Sequence, residues 1–240
     1  MCGRFYATRP PAALARLFSA SGPTPNAAPR WNVAPTQDAL VVRHNPESGT
    51  RHLDLLRWGL VPRWAKDLSI GSRLVNARAE SLAEKPAFRD AYAKRRCIVP
   101  ADGFYEWRTP EGDARKQPYA VALSSGEAMA LAGLWEAWRG PDGAIVRSFT
   151  IVTTEANRKL APLHARMPVV LAPGSWPLWL GETASADPAS LLRPAPPDWF
   201  SAWPVPARVG NVKNDDPALV GRDPTAPPLP GLDDPAVAPP

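Results

Sequence analysis

Read for its apolar spacing, the chain offers few helices and many short strands. After "TRPP" at 8–11, Leu14, Leu17 and Phe18 fall at i, i+3 and i+4, and this spacing predicts a short helix with Thr8 as its cap and prolines in its first turn. Residues 77–95 carry Leu82, Phe88 and Tyr92 among many charges, which predicts one or two surface helices broken at Pro86. The other apolar stretches are short and β-like: "ALVVR" (39–43), "RCIVP" (96–100), "YAVAL" (119–123), "AMALAGLW" (128–135), "RSFTIVTT" (147–154) and "MPVVL" (167–171). Strands separated by tight turns, with only occasional helices, predict a mixed, mainly antiparallel α+β domain and not a parallel doubly wound one. No internal repeat or clean linker interrupts residues 2–222, so a single domain is expected there.

Composition changes this picture at one end. From 223 to 240 the chain reads "DPTAPPLPGLDDPAVAPP", without a cation or an aromatic residue, and is read as a disordered or extended tail. The three aspartates of that tail leave residues 1–222 at +8, against +5 for the whole chain. A basic domain makes a polyanionic partner plausible. Hydrophobic residues at 45% and ten tryptophans argue for a folded globule. No apolar run approaches the roughly 18 residues of a membrane span, and no secretory stretch opens the chain, so a cytoplasmic protein with no membrane partner is expected. Cys2 and Cys97 make no disulfide framework. With His44, His52 and His164 they show none of the close-pair spacing of metal sites, so neither metal nor cofactor is expected.

Candidate chemistry begins at "MCGRF". A cysteine at position 2 is hard to justify as packing, because chain ends fray. If Met1 is removed, Cys2 carries an α-amine and a thiol on adjacent carbons, a 1,2-aminothiol that closes with an aldehyde into a thiazolidine ring. In "PADGFYEW" (100–107), Glu106 follows a turn at Asp102-Gly103 and lies between Tyr105 and Trp107. It is either a carboxylate desolvated into a proton shuttle or an ordinary exposed strand residue. In "LHARMPVVL" (163–171), His164 is either structural or catalytic, and Arg166 beside it favours an anionic ligand. In "RLVNARAES" (73–81), Asn76 and Arg78 point the same way if the segment is extended, one orienting a reacting group and the other holding a phosphate. Asn76 as a helix cap is the competing reading. In "RWGLVPRWAKD" (57–67), tryptophans interleave with Arg57, Arg63 and Lys66, a pattern suited to single-stranded nucleic acid. There Trp58 reads as core and Trp64 as a stacking or wedging platform.

Together these stretches resemble the SRAP (SOS response-associated peptidase) family. The match runs in order through "MCGRF", "WGLVPRWAKD", "NARAES", "RRCIVPADGFYEW", "AGLWEAW", "SFTIVTTEAN", "LHARMPVVL" and "VGNVKNDDP". The resemblance implies an α+β fold with a mainly antiparallel, barrel-like β core, peripheral helices and a basic channel. It implies a monomer that senses abasic sites in single-stranded DNA and joins them covalently through Cys2 after removal of Met1, with the family's peptidase activity read as self-removal and a cellular aminopeptidase as the other route. By the same resemblance the catalytic residues are Cys2, Asn76, Glu106 and His164. The DNA-binding residues are Arg4, Arg78 and Arg166, with Trp64 and Trp107 as aromatic surface. Ala165 departs from the family, which usually has a polar or acidic residue after the histidine. Two other readings stand beside this one: a cysteine peptidase acting beyond its own N-terminus, and a non-covalent single-strand-binding module.

Overall fold

The structure is a computed structural model that describes residues 2–109, 116–183, 187–226 and 232. Its strands, in chain order, are β1 (Phe5–Ala7), β2 (Arg30–Val33), β3 (Asp38–Asn45), β4 (Thr50–Trp58), β5 (Asn76–Arg78), β6 (Arg96–Ala101), β7 (Gly103–Arg108), β8 (Gln117–Leu123), β9 (Met129–Arg139), β10 (Ile145–Glu155), β11 (Arg166–Pro168) and β12 (Phe200–Pro204). The α-helices are short: α1 (Pro11–Leu17), α2 (Arg89–Lys94) and α3 (Trp176–Leu180).

Two sheets share the work. One runs β12-β8-β7-β1-β2 and is antiparallel throughout. In the other, β10-β4-β3-β6-β9 closes on itself because β9 pairs back onto β10, which makes a small barrel. Its joints are antiparallel except the one between β10 and β4, and β5 and β11 extend it at the far end of β10. The expected α+β class with a mainly antiparallel, barrel-like core is what the chain adopts.

Alternation explains why the apolar runs look unbroken. In a strand, successive side chains take opposite faces. Val99, Leu131, Phe149 and Ile151 enter one core, continuous with Phe5, Phe104, Val121 and Phe200 of the other sheet. Their neighbours Ile98, Ala132, Leu134 and Val152 enter a second core, shared with Leu14, Phe18 and Trp179. Tyr6, Tyr105, Ala120 and Trp203 form a third on the outer face of the five-stranded sheet. Strands covered on both sides need apolar residues at every position.

Three local expectations are corrected. Thr8 does not cap α1: its amide (2.5 Å) and hydroxyl (2.9 Å) both donate to Asp102, a stronger acceptor, and Pro10 takes the N-cap place. Residues 77–95 do not begin as helix. They continue β5, make a 3-10 turn at Ala79–Ser81, and become helical only from Arg89. The strand expected over 167–171 stops at Pro168, where the ladder loses a donor. Beyond it Val169 donates to Val152 and Leu171 to Ala130, so the segment crosses from β10 to β9.

Of the proposed tail, Asp223 donates to the Pro204 carbonyl and Leu232 is buried in the first core, while 227–231 and 233–240 lie outside the described residues. Among the described residues no helix is long and apolar enough to cross a membrane.

The edge strand β2 is closed by a side chain. The Asp215 carboxylate accepts from the amides of Trp31 (2.5 Å) and Asn32 (3.1 Å) and from the Arg30 guanidinium. Asn32 is fully buried, and its amide donates to the carbonyls of Val209, Asn211 and Asn214.

Candidate functional site

The site lies where the two sheets meet. Cys2 leads into β1, a central strand of the five-stranded sheet, beside the neighbouring strand β7 that carries Glu106. From the other sheet, β5 brings Asn76 and Arg78 to the end of β10, paired Asn76 to Ile151 and Arg78 to Thr153. The turn before β11 brings His164.

Cys2 is wholly buried. The Asn76 side-chain amide donates to the Cys2 carbonyl at 2.8 Å, and its Oδ1, also buried, has no hydrogen-bond partner. Asn76 is therefore strand, not helix cap. An amide with one end engaged and the other open inside the protein can accept from a donor that arrives during a reaction.

Glu106 is 7% exposed, which removes the reading of an ordinary surface residue. Its desolvation does not come from the adjacent aromatics in sequence. Tyr105 and Trp107 project to the opposite face of β7, against the third core. The carboxyl shares a narrow pocket with Phe104, Val121, Leu160, Leu163 and Met167, and His164 and Arg166 complete the lining. Burial raises its pKa above the usual carboxylate range, while the positive amino terminus and His164 pull the other way. Burial likewise pushes the Cys2 thiol well up, with Glu106 adding to it. The thiol thus keeps its proton near neutrality and needs a nearby base to lose it.

His164 accepts the Arg166 backbone amide at Nδ1 (2.9 Å), an arrangement that assigns the proton of the neutral ring to Nε2. Asn157 builds the loop that holds it. Its Oδ1 accepts from Lys159 and Leu160, and its amide donates to Ala195. Ala165 is exposed, and its carbonyl, not its side chain, makes the local contact with the Ala156 amide.

The three arginines are not equivalent. Arg78 is exposed and without a hydrogen bond or ion pair from its guanidinium among the described residues. Arg166 is engaged with both Glu80 oxygens (2.7 and 2.9 Å) and with the Thr153 carbonyl (2.6 Å). Arg4 is turned away from Glu106. It bonds Asn32 (2.9 Å) and the carbonyls of Val209 and Gly210, and stands 6.0 Å over the Trp107 ring. Arg4 and Trp107 therefore lie on the outer face of the sheet. Trp58 is fully buried, whereas Trp64 is 59% exposed. Sequence reasoning missed Asn32, Asn157 and Asp215, whose partners are mostly far along the chain.

Comparison with known proteins matches residues 1–212 to the SOS response associated peptidase (SRAP) family model. "Abasic site processing protein YoqW" of Bacillus subtilis is 41% identical over 195 residues, covering 80% of this chain and 85% of that protein. "Abasic site processing protein YedK" of Escherichia coli is 34% identical over 230 residues, covering 92% and 99%. "Abasic site processing protein HMCES" of Mus musculus is 30% identical over 244 residues, covering 82% and 68%. A crystal structure of a protein from Bacteroides thetaiotaomicron superposes with a TM-score of 0.83 at 25% identity, covering 92% of this chain and 100% of that one.

Proposed function

The chain belongs to the SOS response associated peptidase family, and from that premise we propose that it captures abasic sites in single-stranded DNA as a covalent thiazolidine on Cys2. One observation carries the reading: Asn76 fixes the second residue of the chain by its carbonyl at 2.8 Å, at the head of the strand beside the one that carries the buried Glu106.

Removal of Met1 by hydrolysis of the Met1–Cys2 bond frees the α-amine. An α-amine has a reference pKa of about 7.7–8.0, so roughly a tenth is neutral at about pH 7. The Glu106 carboxylate takes a proton from the ammonium, and the amine adds to the ring-opened sugar aldehyde. The carbinolamine oxygen then leaves as water, with the proton returned by Glu106. The Cys2 sulfur adds to the resulting imine carbon while its proton passes to the nitrogen. Two bonds form at that carbon and one water departs. An open imine activates the 3′ phosphate for elimination, and ring closure by sulfur removes that activation. His164, with a proton on Nε2, assists opening of the closed hemiacetal. Residues 2–222 are the working domain in this reading.

The test is incubation with an abasic single-stranded oligonucleotide followed by a denaturing gel and intact-mass measurement. A band that survives boiling in detergent, on protein that lacks Met1, is expected. A complex seen only under native conditions, or crosslinking by protein that retains Met1, overturns the proposal.

A further inference from the structure

Strand β10 works as a ruler. Its Ile151–Glu155 end borders Asn76, Arg78 and Arg166. At Ser148 it carries the Trp64 loop, because the Ser148 hydroxyl accepts the Val61 amide at 2.8 Å. At Ile145 it reaches a cleft of about 300 Å³ lined by Arg63, Ala137, Arg139 and Ile145. At about 3.3 Å per residue, Thr153 and Ile145 are about 26 Å apart along the strand.

This cleft is firmly built. Its Trp64 side is fastened by that serine bond and by Trp138 Nε1, which donates to the Ala65 carbonyl at 2.7 Å. The buried Glu136 carboxylate pairs with Arg95 (2.7 Å) and, at 3.5 Å, with Arg63. One carboxylate thus faces two guanidiniums, so a net positive charge remains. On the other side Arg139 is steadied by the Gly143 carbonyl (3.2 Å), and the exposed Arg147 follows on β10. Neither Arg139 nor Arg147 has an ion-pair partner among the described residues. The one acid at the hairpin tip, Asp142, is turned to the Ala144 amide. Ile145, 49% exposed, supplies an apolar floor.

We infer that this cleft holds a backbone phosphate of the nucleic-acid strand flanking the lesion, so that the bound strand runs from the Cys2 site over Trp64 to Arg139. Two guanidiniums on fixed mounts, with no acid in the lining, suit a phosphate. This rests on the proposed function and assigns its outer boundary. The distance fits a single-strand footprint of several nucleotides.

Fluorescence anisotropy tests it with oligonucleotides carrying a ring-locked abasic analogue that cannot crosslink. The lesion has either a single-nucleotide flank, too short to reach the cleft, or a flank of about 16 nucleotides, the upper end of single-strand site sizes, and the long flank is used both single-stranded and duplexed. With long flanks, Arg139→Ala should weaken binding several-fold and lower the log–log salt slope by about 0.7 on a single strand or about 0.9 on a duplex. The flank form that loses slope identifies the strand the cleft takes. Arg139→Lys should restore the slope, and the short oligonucleotide should bind both variants like wild type. Equal loss with short and long flanks, or no loss with either long form, overturns the assignment. Crosslinking of a reactive short oligonucleotide by Arg139→Ala should match wild type. Failure of wild type itself to crosslink would count against the proposed function and leave the binding result to judge the cleft.

Discussion

Arg166 grips Glu80 with both ends of its guanidinium, at 2.7 and 2.9 Å, across 86 positions of sequence. The pairing holds the Glu80 carboxyl below the usual range, first through that hydrogen bond. An arginine so engaged offers DNA little unspent charge. Arg78→Ala should therefore lower the single-strand salt slope by about 0.7, whereas Arg166→Ala should leave it close to wild type. Glu80→Gln, which frees Arg166, should steepen it. Binding measured across a salt series checks all three, and equal slopes for the two alanine variants would contradict this division.

Cys2→Ser keeps the amine and replaces a good ring-closing nucleophile with a poor one. The stable adduct should disappear, and strand cleavage at the abasic site should rise as the imine persists. Non-covalent affinity should stay within about twofold of wild type, a difference of about 0.4 kcal/mol. A denaturing gel that resolves adduct, intact strand and cleaved strand reads each outcome; an adduct at wild-type level would sink the thiazolidine step.

Burial raises the Glu106 pKa in the folded chain, and the sign of the consequence is definite. Between the unfolded and folded values the native state binds more protons, so stability falls as pH rises through that window. Glu106→Gln removes this dependence. It should raise the melting temperature near neutral pH by about 2–4 °C for each kcal/mol relieved. The gain should vanish below about pH 4, where both states are protonated. Crosslinking should show the opposite trend: the Gln variant should be slowest relative to wild type below about pH 7, where the amine needs a base, and partly recover above it.

Gly59 has φ +116°, and a Cβ placed there would lie 2.5 Å from the Gly71 carbonyl oxygen. The oxygen belongs to backbone and the Cβ is fixed directly to it, so neither can give way cheaply. Gly59→Ala should cost about 3 kcal/mol or more in chemical denaturation, from steric overlap and a backbone conformation alanine disfavours. It should also loosen the Trp64 loop that starts at the next residues. A loss below about 1 kcal/mol would show that the two segments can part.

Much of this architecture was legible in the sequence because strand cores write themselves locally. "YAVAL" and "AMALAGLW" are apolar at consecutive positions because both faces are covered, and their chemistry announces burial without a partner being known. Glu106 was legible as a perturbed carboxyl, but not its surroundings: Leu160, Leu163 and Met167 come from more than fifty positions away. Strand β4 escaped notice because Arg51, Asp54 and Arg57 interrupt it. Those charges are accommodated by Glu182, Arg43 and the Thr36 carbonyl, contacts that only the folded chain supplies. Arg166 looked available for phosphate for the same reason, since nothing near it in sequence reveals Glu80.

The contacts of Arg4 with Val209 and Gly210 tie the second residue's strand to a segment made some two hundred residues later. Asn32 and Asp215 make the same tie through β2. During synthesis the residues around Cys2 therefore leave the ribosome long before the segment that seats them. A chain halted or clipped before Val209 would carry every group the chemistry names and still lack the brace for the strand that follows Cys2.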